Sequence, residues 1–376
     1  MKVKLLFLIP TLENGGAEKV LVNLVNNLDY TRYDVTLQTI FDWGIHKEKL
    51  VENVHYKSFL KKPFRGYSRL LWIIPSSLLY KLVVKEKYDI VIAYLEGSSA
   101  KIVSGCPYPN SKKIAWIHTV MDTPERLSIG FPNVQKALNT YNSFDKIVFV
   151  SNSSLQAFRS TSGLNLPQGM VIYNTNETDR IRRLSNEKVY DISEDDNSFK
   201  ICIIGKITPN KGVDRLAHIL NRLIQEKYLV HVYVIGTGEQ QEKISSYIKT
   251  NNLVKYFTFL GYQENPYKYI AACDLYVCAS YREGLSTAVT ESLIVGTPVV
   301  STNCSGSFEL LGEMNEYGIV TDNNEESLYK AIKKFITNPE LLAYYKKQAK
   351  KRGYFFSTEK TVNQVVKLVE EVMNER

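Results

Sequence analysis

Short apolar runs that end in turns recur along the first half of the chain, and each is followed by residues with helical spacing. VKLLFLIP (3–10) is a continuous apolar run, as expected of a strand buried on both faces. GGAEKVLVNLVNNL (15–28) then places apolar residues at 17, 20, 21, 24, 25 and 28, one face of a helix. DVTLQTIF (34–41), DIVIAYLE (89–96), KKIAWIH (112–118), DKIVFVS (145–151) and MVIYN (170–174) predict further strands, with helical or irregular segments between them. Val- and Ile-rich strands that alternate with helices imply a parallel sheet covered on both faces.

The theme stops at TNETDRIRRLSNEKVYDISEDDNS (175–198), which is polar, charged and poor in apolar periodicity. It restarts with FKICIIGKI (199–207), VHVYVIGTG (230–238), YFTFLG (256–261), DLYVCAS (274–280) and TPVVST (297–302), and residues 325–374 read as helix throughout. The chain is therefore predicted to be an α/β protein of two Rossmann-like, doubly wound parallel-sheet domains. The first is expected over 1–178 and the second over 195–356, with the polar run as linker and a final helix, about 357–376, packing back on the first domain. The length agrees, since 376 residues exceed one ordinary hydrophobic core. In doubly wound sheets ligands sit outside the carboxyl ends of the strands, so the loops there carry the candidate chemistry.

With 44% hydrophobic and 23% charged residues, the chain has the make-up of a soluble globular protein. Five cysteines (106, 202, 273, 278, 304) form no CxxC pair and are odd in number, which argues against a disulfide framework or a structural zinc site and for a reducing compartment. The opening apolar run is too short for a signal peptide, and no small-residue cleavage site follows it. LLWIIPSSLLYKLVV (70–84) is broken by Pro75, Ser76, Ser77 and Lys81, and is too short to span a bilayer. A cytoplasmic protein is expected.

Charge is lopsided: residues 1–170 hold 21 Lys+Arg against 13 Asp+Glu, an excess of 8, whereas 171–376 hold 26 of each. Much of the excess lies in KSFLKKPFRGYSRLLWIIPSSLLYKLVVKEK (57–87), where eight basic residues and one acid are interleaved with Trp, Tyr, Phe and Leu. That pattern suits an anionic membrane surface. It also describes a solvated helix whose lysines cover an apolar underside. No nucleic-acid module is recognisable, so nucleic acid is not an expected partner.

REGLSTAVTE (282–291) follows the predicted strand 274–280. Glu283 and Gly284 lie in its loop, Ser286 or Thr287 is a good N-cap, and the amides of a helix N-terminus suit phosphate. Glu291 falls about a turn and a half into that helix. A ligand with its phosphates at the N-terminus could present one sugar to Glu283 and a ribose to Glu291, because carboxylates accept hydrogen bonds from paired hydroxyls. KITPNKGVDRL (206–216) places Lys206 and Lys211 around a Pro-Asn turn, with Gly212 permitting a tight approach. Two lysines there can neutralise a diphosphate and stabilise a departing nucleoside diphosphate. LENGGAEKV (12–20) sets Gly15 and Gly16 after the first strand, with Glu18 in the first helical turn. Neither this loop nor VIGTGEQQ (234–241), which carries Gly236 and Gly238, is a GxGxxG, which counts against a nicotinamide dehydrogenase. His118 ends a predicted strand, where it is either structural or placed to hydrogen-bond a sugar hydroxyl or a substrate carbonyl. The other histidines (46, 55, 218, 231) have no ligand spacing, so no catalytic metal site is expected.

Taken together, these loops resemble the retaining glycosyltransferases of the large GT4 family, glycosyltransferase group 1, which have the GT-B fold. Glu283 and Glu291 match its E-x7-E motif, NGGAE (14–18) is similar to its N-terminal glycine loop, and KGVD (211–214) to its phosphate-binding segment. IGTGE (235–239) and VIYN (171–174) resemble two further signatures, and the likeness covers nearly the whole chain, weakest over 42–88. The resemblance implies two domains facing across a cleft, the donor mostly on the second and the acceptor on the first. It implies that Glu283, with the main-chain amides of Gly284, Leu285, Ser286 and Thr287, holds donor sugar and phosphates. Glu291 would hold the ribose and Lys211 the diphosphate. His118 matches the active-site histidine near the donor sugar, Gly15 and Gly16 approach the donor, and Tyr262 lies where the base is met. The family usually has arginine where Lys206 stands; lysine keeps the charge and loses the bidentate fork.

The expectation is then a retaining hexosyltransferase that works without a metal or cofactor. It would move a hexose from a nucleotide sugar, a UDP-sugar by preference, to an acceptor hydroxyl. A lipid-linked saccharide in capsule or exopolysaccharide assembly is the expected acceptor, with segment 57–87 at the inner membrane face. Asp195-Asp196 lies in the polar run, so no apolar-flanked DxD is present. No carboxylate stands out as a covalent nucleophile, which fits front-face attack with the departing phosphate accepting the acceptor's proton. Two alternatives stand beside this: a nucleotide-sugar 2-epimerase of GT-B fold, and a catalytically silent partner of another transferase. The NGGAE loop and E-x7-E favour transfer over epimerisation, and intact His118, Lys211, Glu283 and Glu291 argue against a silent subunit.

Overall fold

Leu5, Leu6, Phe7, Leu8 and Ile9 are fully buried, so the run that opens the chain is a central strand, β1 (Val3–Ile9). The computed structural model describes residues 2–375 except 14, 65, 165–167 and 193–196, with backbone alone at 68 and 69. Asn14 of the glycine loop and the pair Asp195-Asp196 therefore lie outside the described residues. The chain divides into two units, one running to Asn176 and taking in residues from Thr358 onward, the other spanning Glu177–Ser357.

In the first unit β1 is joined by β2 (Tyr33–Phe41), β3 (His55–Leu60), β4 (Ile90–Ala93), β5 (Lys112–Ile117), β6 (Lys146–Phe149) and β7 (Gly169–Val171). All pair in parallel, in the order β3-β2-β1-β4-β5-β6-β7. β1 is therefore central, with Leu5 level with both Val35 and Ile90. Side chains such as Leu6, Leu8, Val91, Ala115, Ile117 and Phe149 meet the helices on one sheet face in a continuous apolar cluster. β3 was not expected: HYKSFL lacks Val and Ile and is largely exposed, because an edge strand needs only one neighbour, here β2. The helix Thr358–Asn374 belongs to this unit, burying Val365, Leu368, Val369 and Val372 and pairing Glu370 with Arg32 at 2.5 Å.

The second unit repeats the plan with β8 (Phe199–Ile204), β9 (Val230–Ile235), β10 (Phe257–Gly261), β11 (Leu275–Cys278), β12 (Val299–Thr302) and β13 (Ile319–Thr321). The order is β10-β9-β8-β11-β12-β13, again all parallel. Part of the polar run read as a linker is a helix of this unit, Thr178–Ser185, which packs on the helices Tyr267–Ala272 and Thr287–Val295. Its carbonyl at Leu184 accepts from Asn265 Nδ2 at 2.9 Å, so the short polar sequence folds on tertiary contacts rather than on its own periodicity. The region read as helical throughout holds three helices, Glu325–Thr337, Pro339–Gly353 and Thr358–Asn374, the first two parted by Asn338, which caps the second with Pro339 at its start.

Both sheets reverse their strand order once, between β1 and β4 in the first unit and between β8 and β11 in the second. Such reversals open a crevice at the carboxyl ends of the flanking strands. Segment 57–87 leaves β3 and forms the helices Tyr67–Ile73 and Ser76–Val83. Lys101 is buried and donates to the Trp72 carbonyl at 2.8 Å and to that of Leu71, capping the end of the first helix. Phe59, Phe64, Leu70, Ile73, Leu78 and Leu82 are exposed there beside the lysines. Among the described residues, no helix is long and apolar enough to cross a membrane.

Candidate active site

In the second unit the reversal point lies between the loop after β8 and the loop after β11. The first makes a 3-10 turn, Pro209–Lys211, ahead of the helix Val213–Gln225. Lys211 folds back along the backbone of Gly205, where a Cβ would lie 3.4 Å from its Cε. Gly212 has φ 65°, and a Cβ there would fall 2.1 Å from the Ala279 carbonyl oxygen, so only glycine lets this turn press on the end of β11. The second loop carries Glu283. Lys211 Nζ donates to Glu283 Oε1 at 2.6 Å, a salt bridge that joins the two sides of the reversal point.

That carboxylate oxygen also accepts from Ser280 Oγ at 2.7 Å, and Thr302 Oγ1 donates to the Ser280 carbonyl at 2.6 Å. Burial works against the Lys211 charge, but the charge and hydrogen bond of Glu283 outweigh it, so the ammonium titrates above the ordinary lysine range. Lys206 is exposed on the same loop. Beneath the pair, a hydrogen bond from the Cys304 thiol holds the Cys278 thiol below its ordinary value.

Downstream of Glu283, Leu285 and Ser286 are buried, and Ser286 is the N-cap of the helix Thr287–Val295, accepting from Val289 N at 3.4 Å. The amides at the start of that helix have no carbonyl one turn earlier within it, and they lend the loop partial positive charge. Glu291 sits on the buried side of the helix, 3% exposed, where Tyr267 Oη donates to it at 3.5 Å. Gly236 and Gly238 pack the loop after β9 on the loop after β8; a Cβ would lie 2.1 Å from the Gly205 oxygen and 2.4 Å from the Ile207 oxygen respectively. Tyr262 follows β10 and is exposed.

In the first unit the corresponding loops follow β1, β4 and β5, neighbours in the sheet. Gly15 is the N-cap of the helix Gly16–Asn26, and the Glu18 carboxylate lies against its α-carbon, where a Cβ would sit 2.1 Å from Oε2. His118 follows β5, its ring 4.8 Å from that of Tyr94, and its Nε2 is buried with no hydrogen-bond partner among the described residues. Burial lowers its pKa to about 3, so the imidazole is neutral. The His118 amide donates to Glu96 Oε2 at 3.1 Å, and burial raises the pKa of that carboxyl. Beside the glycine loop, His46 is buried too, its pKa lowered to about 4 by burial and by the nearby charges of Lys49 and Lys19.

Of the expected residues, the structure thus joins Lys211 to Glu283 directly, with Gly284 to Thr287 continuing from Glu283 into the helix. Glu291 is deeper than an exposed carboxylate, and His118, Gly15 and Gly16 lie in the other unit. Sequence reasoning passed over Glu96, Ser280 and Thr302. The first stands just past an apolar strand run, where a strand-end rule would have found it; the other two look like ordinary hydroxyls.

Solved structures share this architecture. Anabaena HepE, crystallised in complex with UDP, superposes with a TM-score of 0.79 at 20% identity, covering 99% of this chain and all of that one. Sucrose-phosphate synthase from Thermosynechococcus elongatus gives 0.79 at 15% identity, covering all of both chains. The fold is GT-B, two Rossmann-like parallel-sheet domains. The family model "Glycosyltransferase Family 4" matches residues 14–180, and "Glycosyl transferases group 1" matches 186–352. The chain belongs to the group 1 glycosyltransferases of family GT4, and it is a transferase. Among its relatives is the Campylobacter jejuni N-acetylgalactosamine-N,N'-diacetylbacillosaminyl-diphospho-undecaprenol 4-alpha-N-acetylgalactosaminyltransferase, 26% identical over 97% of this chain and 98% of that one. Another is the Escherichia coli UDP-Gal:alpha-D-GlcNAc-diphosphoundecaprenol alpha-1,3-galactosyltransferase, 23% identical over 73% of each.

Proposed function

We propose that this protein is a retaining hexosyltransferase that takes its sugar from a UDP-sugar and delivers it to a hydroxyl of a lipid-linked saccharide, as in capsule or exopolysaccharide assembly. The observation that carries the reading is the Lys211–Glu283 bridge across the reversal point, beside the start of the helix Thr287–Val295. A cation and helix amides at one place suit a diphosphate, and a carboxylate at the same place suits sugar hydroxyls. On donor binding Lys211 would turn toward the diphosphate and release Glu283 to the sugar. Lys206 would add charge, Tyr262 would meet the base and Glu291 the ribose. As the glycosidic bond breaks, Lys211 and the helix amides stabilise the departing UDP, so the reaction needs no metal. Attack comes from the same face, and the acceptor's proton passes to the departing phosphate. Neutral His118 serves as a hydrogen-bonding group to the sugar rather than as a cation.

The UDP in the HepE crystals and the undecaprenol-linked acceptors in the relatives' names support this choice of donor and acceptor. The exposed apolar side chains of 57–87, set among lysines, support peripheral attachment to an anionic membrane on its inner face.

The test is incubation with a panel of nucleotide sugars and undecaprenyl-diphosphate saccharides. Release of UDP with transfer of sugar is the expected outcome. Return of an isomerised nucleotide sugar without free UDP would identify an epimerase instead, and neither product would fit a silent subunit. Co-sedimentation tests the membrane part: more protein is expected with anionic than with neutral vesicles at low salt, and equal recovery would remove it.

A further inference from the structure

Arg215 lies in the first turn of the helix Val213–Gln225 and is only 4% exposed. Among the described residues no carboxylate lies within ion-pair distance of it. A guanidinium buried without a counter-charge costs stability, so a further reason for its position is called for. Its Cζ sits 3.7 Å from the centroid of the Tyr281 ring, and its Nη1 donates to Asn323 Oδ1 at 2.9 Å. Asn323 Nδ2 in turn donates to the Tyr281 carbonyl at 2.9 Å and to that of Asn303 at 3.3 Å. From the other side Tyr281 N donates to the Asn210 carbonyl at 2.8 Å, and Asn210 Nδ2 donates to the Arg282 carbonyl at 2.9 Å. The two residues ahead of Glu283 are therefore held at three backbone atoms and by one stacked ring.

We propose that Arg215 and Asn323 are positioning residues for donor-sugar recognition: they clamp Tyr281 and so fix the height of Glu283 over the reversal point. The inference rests on the assignment of Glu283 to the donor sugar. Asn323 follows β13 and Arg215 follows β8, so the clamp ties the Glu283 loop to elements on both sides of β11. Arginine suits the place because its flat guanidinium stacks on a ring and donates in its own plane at once. Arg215 and Asn323 hydrogen-bond to each other, and Asn323 to the Tyr281 and Asn303 carbonyls, rather than to Lys211, so their loss should act mainly on the sugar half of the donor and spare the nucleotide half.

The experiment measures calorimetric affinities for UDP, UDP-glucose, UDP-galactose and UDP-N-acetylgalactosamine, carrying forward the nucleotide sugar that the wild type binds most tightly. Variants are Arg215→Met, Asn323→Ala, Glu283→Ala and the doubles with Glu283→Ala, with Tm recorded for each. The expected result is about tenfold weaker nucleotide-sugar binding in Arg215→Met and Asn323→Ala, since small misplacements at a site carry large penalties, with UDP affinity within about twofold of wild type. In the Glu283→Ala background neither change should weaken binding further, because the clamp acts through Glu283. Nucleotide-sugar affinity unchanged in both single variants while Glu283→Ala is impaired would overturn the clamp, as would full additivity in the doubles. A silent Glu283→Ala, or no nucleotide sugar bound by the wild type, would instead strike at the donor-site assignment. Asn323→Ala keeps the test open should Arg215→Met fail to fold.

Discussion

The two reversal points share a topology and differ in charge. In the second unit a lysine held above its ordinary pKa meets a carboxylate at 2.6 Å, beside helix amides. In the first, the loop after β4 at the reversal point presents Glu96, whose carboxyl burial pushes upward, and the loop after the next strand, β5, presents His118, neutral because burial lowers its pKa to about 3. One fold, used twice, has set an ion pair at one group of strand ends and a neutral imidazole at the other. Phosphates need the first kind of surface and sugar hydroxyls are content with the second. The difference teaches that the strand order fixes where a ligand can sit, while the loop residues that follow each strand decide its chemistry.

The sharpest way to break this comparison is to empty the ionic side. Lys211→Ala should lower turnover on the order of a hundredfold, as losses of preorganised charge at a leaving group do. Steady-state assays check it, and a residual rate close to wild type would mean the leaving group is stabilised elsewhere. Next comes Glu283→Ala, expected to weaken nucleotide-sugar binding by roughly ten- to a hundredfold, the range for a hydrogen bond to a charged group, while leaving UDP binding alone. Competition binding of UDP against UDP-sugar separates the two. On the neutral side, activity between pH 5 and 8 should show no limb caused by His118, since an imidazole with a pKa of about 3 does not titrate there. A pH–rate profile of His118→Gln that lacks a limb present in the wild type would contradict that.

The smallest expected effect is on stability. His118 and His46 have folded pKa values of about 3 and about 4 against an ordinary 6.5. Below pH 6.5 the unfolded chain therefore binds more protons than the folded one. Stability from these sites is intact above pH 6.5 and is lost as pH falls toward the folded values. Melting curves of His46→Gln and His118→Gln should show a shallower fall in Tm between pH 6.5 and 4 than wild type.

Much of the fold was legible because parallel strands buried on both faces leave uninterrupted apolar runs. VKLLFLI and VHVYVI could hardly be anything else. β3 and β13 were missed because the first is an exposed edge and the second has three residues, too few for a pattern. The helix Thr178–Ser185 was missed because tertiary packing, not its own polar sequence, holds it. At the site, Lys211 and Glu283 could be named from their positions after strands. Their direct contact could not be seen, because it depends on Gly205 and Gly212 letting a turn from one strand reach the end of another 72 residues away. Nor could the clamp of Arg215, Tyr281 and Asn323, whose members are spread over 108 residues.

The central claim is that a nucleoside diphosphate binds at the ionic reversal point of the second unit. Isothermal titration of UDP into the wild type, Lys211→Ala and Glu291→Ala tests it most directly. The account expects each substitution to weaken UDP by about tenfold or more, the cost of a lost charge-assisted hydrogen bond. UDP bound equally well by all three proteins would contradict it.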